Sequence, residues 1–494
     1  MEKSAVLIHP KDSVAVLLKP LVKGNDTVGL PVEIRASEDI PAGHKIAIRP
    51  IRQGEAVVKY GAPIGYATQE IAEGQHVHTH NVRTGLADKI AYAYQPEVEP
   101  LQSLPEAGFQ GFRRVDGQAG VRNDIWIIPT VGCVNGIAQR IAEDARRFLT
   151  GSVGNVLAFP HPYGCSQMGE DQDATRTILA DLCMHPNAGG VLLLGLGCEN
   201  SGIEEIKSFI PNFDENHIRT LVCQEHEDEM AASLQIVKEL IAQAALSVRE
   251  AISAKELVIG LKCGGSDGLS GITANPVIGG FSDRLIAHGG TSILTEVPEM
   301  FGAETLLMAR CENEVVFDKT VALINDFKQY YQDHHQTIYE NPSPGNKSGG
   351  ITTLEDKALG CTQKSGTAPV SDVLAYGERV VKPGLNLLSA PGNDLVAATA
   401  LAASGAHIVL FSTGRGTPFG CPVPTVKISS NSVLAEHKKT WIDFNAGLAV
   451  EGSSIDAMAD ELFSYVLKVA SGEPLKHENA AIYDLAIFKR GVTL

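Results

Sequence analysis

Ile125-Trp-Ile-Ile-Pro-Thr-Val131-Gly132-Cys133 is an apolar run that stops on a glycine and a cysteine. The figure returns twice: Val156-Leu-Ala-Phe159 leads through His161 and Tyr163 to Gly164-Cys165, and Val191-Leu-Leu-Leu194 leads to Gly197-Cys198. The cysteines are 32 and 33 residues apart, close to one βαβ repeat. Short apolar runs alternating with helical patterns at about 135–149, 172–184 and 227–250 predict parallel strands joined by crossover helices. The three thiols would then sit just past the carboxyl ends of successive strands, the edge where open parallel sheets bind ligands. With strands about 4.8 Å apart, Cys133, Cys165 and Cys198 could converge on one ferrous ion or on an iron–sulfur cluster with one open iron. The alternative is small residues packed at tight turns, as free cysteines often are. Cys183, Cys223 and Cys311 lack the motif and read as core. Arg122-Asn123, just before the first strand, reads as a carboxylate clamp or as an ordinary strand-entry pair.

A second alternating series starts at Leu257-Val-Ile-Gly-Leu261 and opens onto Lys262-Cys263-Gly-Gly-Ser266-Asp267-Gly. A strand feeding a glycine-rich turn suits an anion. Neither dinucleotide nor P-loop spacing occurs, so a short carboxylate is the more natural guest. Strands are also expected at Ser292–Leu294, Leu385–Leu388 and His407–Phe411, each ending in a polar cluster: Glu296 with Glu299, Asn393 with Asp394, and Thr413 through Thr417 around Arg415. Helices at Val315–Tyr331 and near Ile455–Ala470 should flank this sheet. Polar clusters stacked at one edge are what a polyhydroxylated ligand needs, because each unmatched buried hydroxyl costs about 1–3 kcal/mol.

The first 95 residues differ. Ile40-Pro-Ala-Gly43-His-Lys-Ile46, Ile51-Arg-Gln-Gly54-Glu-Ala-Val57 and Ile71-Ala-Glu-Gly74-Gln-His-Val77 each place an apolar residue, a turn closing on glycine and a new strand. A small all-β module is expected. Its last copy runs on as His76-Val-His78-Thr-His80. In a strand these imidazoles share one face, and two of them could meet one ion with ligands from elsewhere; three from one straight strand could not. Residues 96–112 read as a proline-bearing linker, 113–252 as a middle α/β domain and 253–494 as a C-terminal α/β domain.

The whole is an ordinary soluble composition of 494 residues, 44% hydrophobic, with no apolar run long enough to span a membrane. A net charge of −17 argues against nucleic acid or an anionic membrane as partner. Nine cysteines and no signal-like N-terminus point to a reducing, cytoplasmic setting.

Between the series lies Asn341 to Gly366, NPSPGNKSGGITTLEDKALGCTQKSG. Its prolines, glycines and polar residues read as a long functional loop over the sheet edge, with Lys347, Lys357 and Lys364 as cations and Cys361 as soft ligand or nucleophile. This stretch, with GLKCGGSDGLSGITANP at 260–276, TEVPEMFGAE at 295–304 and APGND at 390–394, closely resembles the altronate/galactarate dehydratase family, which also holds sulfolactate sulfo-lyase; the likeness covers essentially the whole chain. The resemblance implies an N-terminal β-clip (SAF-type) domain, a middle domain serving a homodimer, and a Rossmann-like C-terminal domain with a metal site. It implies a hydro-lyase of galacturonate catabolism that converts D-altronate to 2-dehydro-3-deoxy-D-gluconate, using Fe(II) with Mn(II) as substitute. A sister activity on galactarate or sulfolactate would use the same machinery. A nicotinamide oxidoreductase lacks its fingerprint here, and a sugar-acid sensor lacks a helix-turn-helix.

Such a reaction needs a base for the C2 proton, made acidic when a metal neutralises the adjacent carboxylate. Lys364 or His161 is the expected base, Lys364 with its pKa lowered by burial or by the metal. Asp267 and Asp394 are expected at metal or hydroxyls, Arg415 and Lys347 at the carboxylate, and Ser266 and Asn393 at the substrate. The expected metal ligands come from His76, His78, His80, Cys133, Cys165, Cys198 and Cys361.

Overall fold

A computed structural model describes residues 3–86 and 90–491. The chain is a mixed α/β protein whose largest element is a seven-stranded, wholly parallel sheet in the C-terminal half. Val258–Cys263 lies at its centre, with Thr291–Leu294 on one side and Ile408–Thr413 on the other. Gly384–Leu388 and Val370–Leu374 extend one wing, and Thr425–Ser429 and Phe444–Asn445 the other. The central strand is buried along nearly all its length because helices cover both faces, which is why it reads as an unbroken apolar run. Helices Ala274–Ala287 and Ile455–Ala470 pack together on one face. The chain leaves the central strand in both directions, so the carboxyl ends of Val258–Cys263 and Ile408–Thr413 form a switch point where a crevice opens.

The middle sheet repeats this on a smaller scale. Its four parallel strands run in the order Val156–Ala158, Asp124–Pro129, Ala188–Gly195, Ile218–Val222. Helices stand at Asn135–Ala145, Gly169–Cys183 and Glu229–Ala244, the last capped by Asp228 accepting from Ala231 N–H. The pattern at 227–250 ends sooner than expected, because Arg249–Ser253 is a strand paired with Gly108–Arg113. That pairing starts inside the linker. The rest of the linker is tied to the C-terminal half: Glu97 N–H donates to the Ala309 carbonyl (2.7 Å) and Leu104 N–H to the Ala287 carbonyl (3.0 Å).

The N-terminal module has two antiparallel sheets, of four and three strands. The three repeated turns are alike in structure. Gly43, Gly54 and Gly74 adopt φ of 79°, 80° and 81°, a region open chiefly to glycine. Strands Lys45–Ala47, Ala56–Lys59 and His76–Val77 follow them.

Residues 341–366 are not the loop expected from their composition. They form helices Pro344–Ser348 and Leu354–Cys361 and a 3-10 turn Thr362–Ser365. Ser343 and Thr353 cap the two helices, a signal that was present in the sequence. Leu354–Cys361 is buried on every side, between the N-terminal module and the C-terminal sheet edge.

Candidate active site

The N-terminal module docks through backbone. At Gly268 a Cβ would stand 1.9 Å from the Gly43 carbonyl oxygen, and at Gly350 one would stand 2.2 Å from it. Only glycines allow this approach. It carries the strand after Gly43 into contact with the 341–366 segment. Lys45 Nζ donates to the Gly350 carbonyl (2.6 Å) and to Asp356 (2.8 Å), and Lys59 Nζ donates to the other Asp356 oxygen (3.0 Å). All three side chains are buried. Burial alone would raise the Asp356 pKa, but the two ammoniums hold it well below the usual carboxylate range.

Beside this pair, His44, His76 and His78 bring three imidazole nitrogens within 4.8 Å of one another. His44 Nδ1 lies 2.9 Å from His76 Nε2, its Nε2 faces the Ser348 carbonyl at 3.2 Å, and His78 Nδ1 faces Thr352 Oγ1 at 3.1 Å. Burial lowers the pKa of all three, to about 4 for His76 and about 3 for His78. Neutral imidazoles, two of them anchored by outer partners at Ser348 and Thr352, are suited to a divalent metal.

The expected strand through His76, His78 and His80 stops at Val77. Asn81 makes the turn, with its side chain accepting from His78 N–H (2.9 Å) and donating to the His76 carbonyl (2.8 Å). His80 therefore lies tilted against His76, ring centroids 5.2 Å apart, but is no member of the donor set, and it is exposed. His44 was missed. It carries the same signal as His76, a histidine directly or nearly after a repeat glycine, and only the pairing of Lys45–Ala47 with His76–Val77 brings the two together.

A second donor set is Cys263, Glu299 and Cys361, all buried. Cys263 Sγ lies 3.0 Å from Glu299 Oε2 and 3.5 Å from Cys361 Sγ. The hydrogen bond with Cys361 lowers the Cys263 pKa against the effect of burial and raises that of Cys361. Lys357 binds Glu299 at 2.7 Å, and Lys364 adds a second cation. Burial would raise the Glu299 pKa, but these ammoniums hold it at about 2. This set is already charge-balanced by lysines, so it fits a divalent ion less well than the three neutral imidazoles do.

The expected bases do not stand ready. His161 is buried, with Nε2 on the Pro129 carbonyl (2.7 Å) and Nδ1 accepting from Tyr163 N–H (3.2 Å). Both nitrogens are committed, and burial lowers its pKa to about 4. Lys364 is buried too. Desolvation would lower its pKa, but the surrounding Cys263, Cys361, Glu296 and Glu299 raise it above the ordinary lysine value, opposite to expectation. It is an ammonium.

Other residues divide. Asp267 accepts from Ser270 Oγ (2.8 Å), Ser430 Oγ (2.9 Å) and Asn431 Nδ2 (3.2 Å). Arg415 donates to Ser348 Oγ (2.7 Å) and to the Gly345 carbonyl (3.3 Å). Asp267 and Arg415 line a cavity of about 1180 Å³ with Gly43, Gly349 and Asn431. Ser266 is buried, its carbonyl held by Asn346 (2.8 Å), and Lys347 is half-buried on Pro344–Ser348. Asp394 pairs with Lys262 (2.7 Å), which also reaches Glu296 (3.1 Å). Asn393 caps Asp394–Ala403 and lines a separate cavity of about 530 Å³ with Asn341 and Tyr330.

Arg122 and Asn123 are strand-entry residues, not a clamp. Arg122 makes a bidentate pair with Glu478 (2.7 and 2.8 Å) and donates to the Val469 carbonyl. Asn123 binds Arg114, Ser152 and the Ala244 carbonyl. Cys133, Cys165 and Cys198 lie in the middle domain, and among the described residues no set of three donors within 4.8 Å includes any of them.

Three family models match in series: the altronate/galactarate dehydratase SAF domain over residues 3–85, the D-galactarate dehydratase/altronate hydrolase second domain over 111–245, and the D-galactarate/altronate dehydratase C-terminal domain over 254–493. The chain is 53% identical to an altronate dehydratase of Bacillus subtilis, covering 100% of both chains. It is 51% identical to an altronate dehydratase of Escherichia coli, over 99% of both. A galactarate dehydratase (L-threo-forming) of Escherichia coli is 32% identical, over 95% of this chain and 93% of that one. Three matched domains in one order and full-length identity above half place the chain in the altronate/galactarate dehydratase family.

Proposed function

We propose that this chain is a hydro-lyase that removes water from D-altronate and releases 2-dehydro-3-deoxy-D-gluconate. The observation that carries the reading is the end-to-end likeness to altronate dehydratases at 53% and 51%, against 32% to the galactarate relative. The 1180 Å³ cavity at the switch point is ample for a six-carbon acid.

The C2 proton of such an acid is very weakly acidic while the neighbouring carboxylate keeps its charge. An Fe(II) ion, with Mn(II) as substitute, would be held by His44, His76 and His78, where it supplies Lewis-acid neutralisation of that carboxylate. Arg415, fixed by Ser348, sets a cation in the cavity wall for the same carboxylate. Ser348 also holds His44 through its carbonyl, so one residue positions both groups. Asp267 fixes Ser430 and Asn431 as partners for substrate hydroxyls. Lys364, an ammonium, is proposed on the acid side, donating the proton that leaves with the C3 hydroxyl; neither it nor His161 is proposed as the C2 base. The space that Lys364 lines with Thr295, Glu299 and Cys361 is smaller than a water molecule, so this role requires that wall to open for substrate.

The same reading carries a cytoplasmic homodimer formed through the middle domain, supported by the family resemblance. Among the described residues no helix is long and apolar enough to cross a membrane. It also takes the C-terminal sheet as a Rossmann-like variant, supported by its seven parallel strands with Val258–Cys263 at the centre, although Gly384–Leu388 lies inside the earlier Val370–Leu374.

The test is a keto-acid assay on altronate, galactarate and sulfolactate, with protein kept anaerobic, stripped of transition metals, and reloaded with Fe(II). Altronate should be preferred and the stripped protein inactive. Preference for galactarate would replace the substrate, and full activity without metal would remove the metal from the mechanism.

A further inference from the structure

The proposed reaction leaves the thiols of the middle domain unused. Six of the nine cysteines are buried, and the three exposed ones are Cys133, Cys165 and Cys198. Free cysteine is among the most buried residue types, and exposed thiols are prone to oxidation. Three exposed thiols at one sheet edge are not explained by packing.

The edge is built. The strand order places Asp124–Pro129 between Val156–Ala158 and Ala188–Gly195, so the chain leaves the first strand to both sides. The three cysteines follow these three adjacent strands at the point where ligands enter open parallel sheets. The loops that carry them are bonded pairwise. Gly132 N–H donates to the Tyr163 carbonyl (3.0 Å) and Asn135 Nδ2 to the His161 carbonyl (2.9 Å), joining the first loop to the second. Ser201 N–H donates to the Gly164 carbonyl (3.0 Å) and Ser166 N–H to Asn200 Oδ1 (3.1 Å), joining the second to the third. Thr130 Oγ1 donates to Glu199 Oε1 (2.5 Å), joining the third to the first. At Gly164 a Cβ would stand 2.0 Å from the Thr130 carbonyl oxygen, so the closure depends on glycine.

We propose that this edge binds a [4Fe–4S] cluster through Cys133, Cys165 and Cys198, leaving one iron without a protein thiolate. A single ion is disfavoured because, among the described residues, no three donors including these sulfurs lie within 4.8 Å of one another. A cluster takes its thiolates at its corners, farther apart than the ligands of one ion. Hydrogen bonds to the sulfurs are the usual tuning contacts of such clusters, and Gln224 Nε2 stands 3.8 Å from Cys198 Sγ. The site is separate from the three histidines, and the proposal stands or falls independently of the metal assigned to them.

Full-length protein is incubated anaerobically with ferric iron, sulfide and dithiothreitol, then desalted. About four iron and four acid-labile sulfide per chain should remain, with broad visible absorbance. The variant Cys133→Ser/Cys165→Ser/Cys198→Ser should lose the sulfide and the absorbance while keeping the wild-type circular dichroism. Wild-type protein gives an independent reading: maleimide should label these three thiols before incubation and spare them afterwards. Bound iron without sulfide, a single zinc ion held by the thiols, or unchanged labelling after incubation would overturn the proposal.

Discussion

His44 Nδ1 lies 2.9 Å from His76 Nε2, across 32 residues of chain. The pairing of Lys45–Ala47 with His76–Val77 creates this contact, and a metal at the site depends on it. Replacing His44 or His76 with Ala should therefore abolish tight Fe(II) binding at the site, measured anaerobically by calorimetry. His80→Ala should bind as wild type does, since His80 is outside the donor set. Thr352→Val removes only the outer partner of His78 and should weaken binding by about 10- to 100-fold. Wild-type affinity in His44→Ala would sink the assignment.

Asp356 bears the docking of the N-terminal module, because Lys45 and Lys59 both end on it and all three side chains are buried. Asp356→Asn leaves two buried ammoniums without their counter-ion. Breaking a buried pair in this way typically costs about 3–5 kcal/mol. Chemical denaturation should show a loss of that size, with faster proteolysis of the N-terminal module. A loss below about 1 kcal/mol, the scale of an exposed pair, would mean the network is solvated.

Much of this was readable beforehand, and the limits have physical reasons. The parallel sheets were visible because strands buried on both faces read as continuous apolar runs, and the N-terminal turns because their glycines repeat. The 341–366 segment misled because its polar residues face other polar residues inside the protein. Lys357 meets Glu299, Asp356 meets Lys45, and no local pattern reports a partner so far along the chain. The same applies to His44, whose role depends on strand pairing. For Lys364 the sequence reports a lysine in a motif but not the anions Cys263, Cys361, Glu296 and Glu299 that surround it and raise its pKa.

That direction makes Lys364 informative. As an ammonium it can supply the proton lost with the C3 hydroxyl but cannot take the one at C2. Lys364→Met should abolish keto-acid formation while exchange of the C2 proton with deuterated solvent continues, read by NMR. Loss of both would return Lys364 to the base role; survival of turnover would remove it from the reaction.

The three-glycine seam gives a steric test. Gly268→Ala places a methyl group 1.9 Å from the Gly43 carbonyl oxygen, and backbone cannot yield as a side chain can. The N-terminal module must move off the 341–366 segment, taking His44 from its partners. Activity should fall at least tenfold while far-ultraviolet circular dichroism stays unchanged. Unimpaired turnover would show that the seam is not needed for the site.

Asp181 supplies a pH dependence remote from the chemistry. It is 5% exposed, and its Oδ2 has no hydrogen-bond partner among the described residues. Burial raises its pKa to about 7, with Arg379 opposing. Because the folded pKa exceeds the ordinary value of 3.8, the folded state takes up a proton that the unfolded chain does not hold. Its contribution is most favourable below about pH 4 and is lost as pH rises through about 7. Asp181→Asn has no charge to desolvate, so at pH 8 it should be more stable than wild type by about 1–3 kcal/mol. Its advantage should shrink towards pH 4, as denaturation across that range would report. An equal difference at both ends would mean that Asp181 does not titrate in this window.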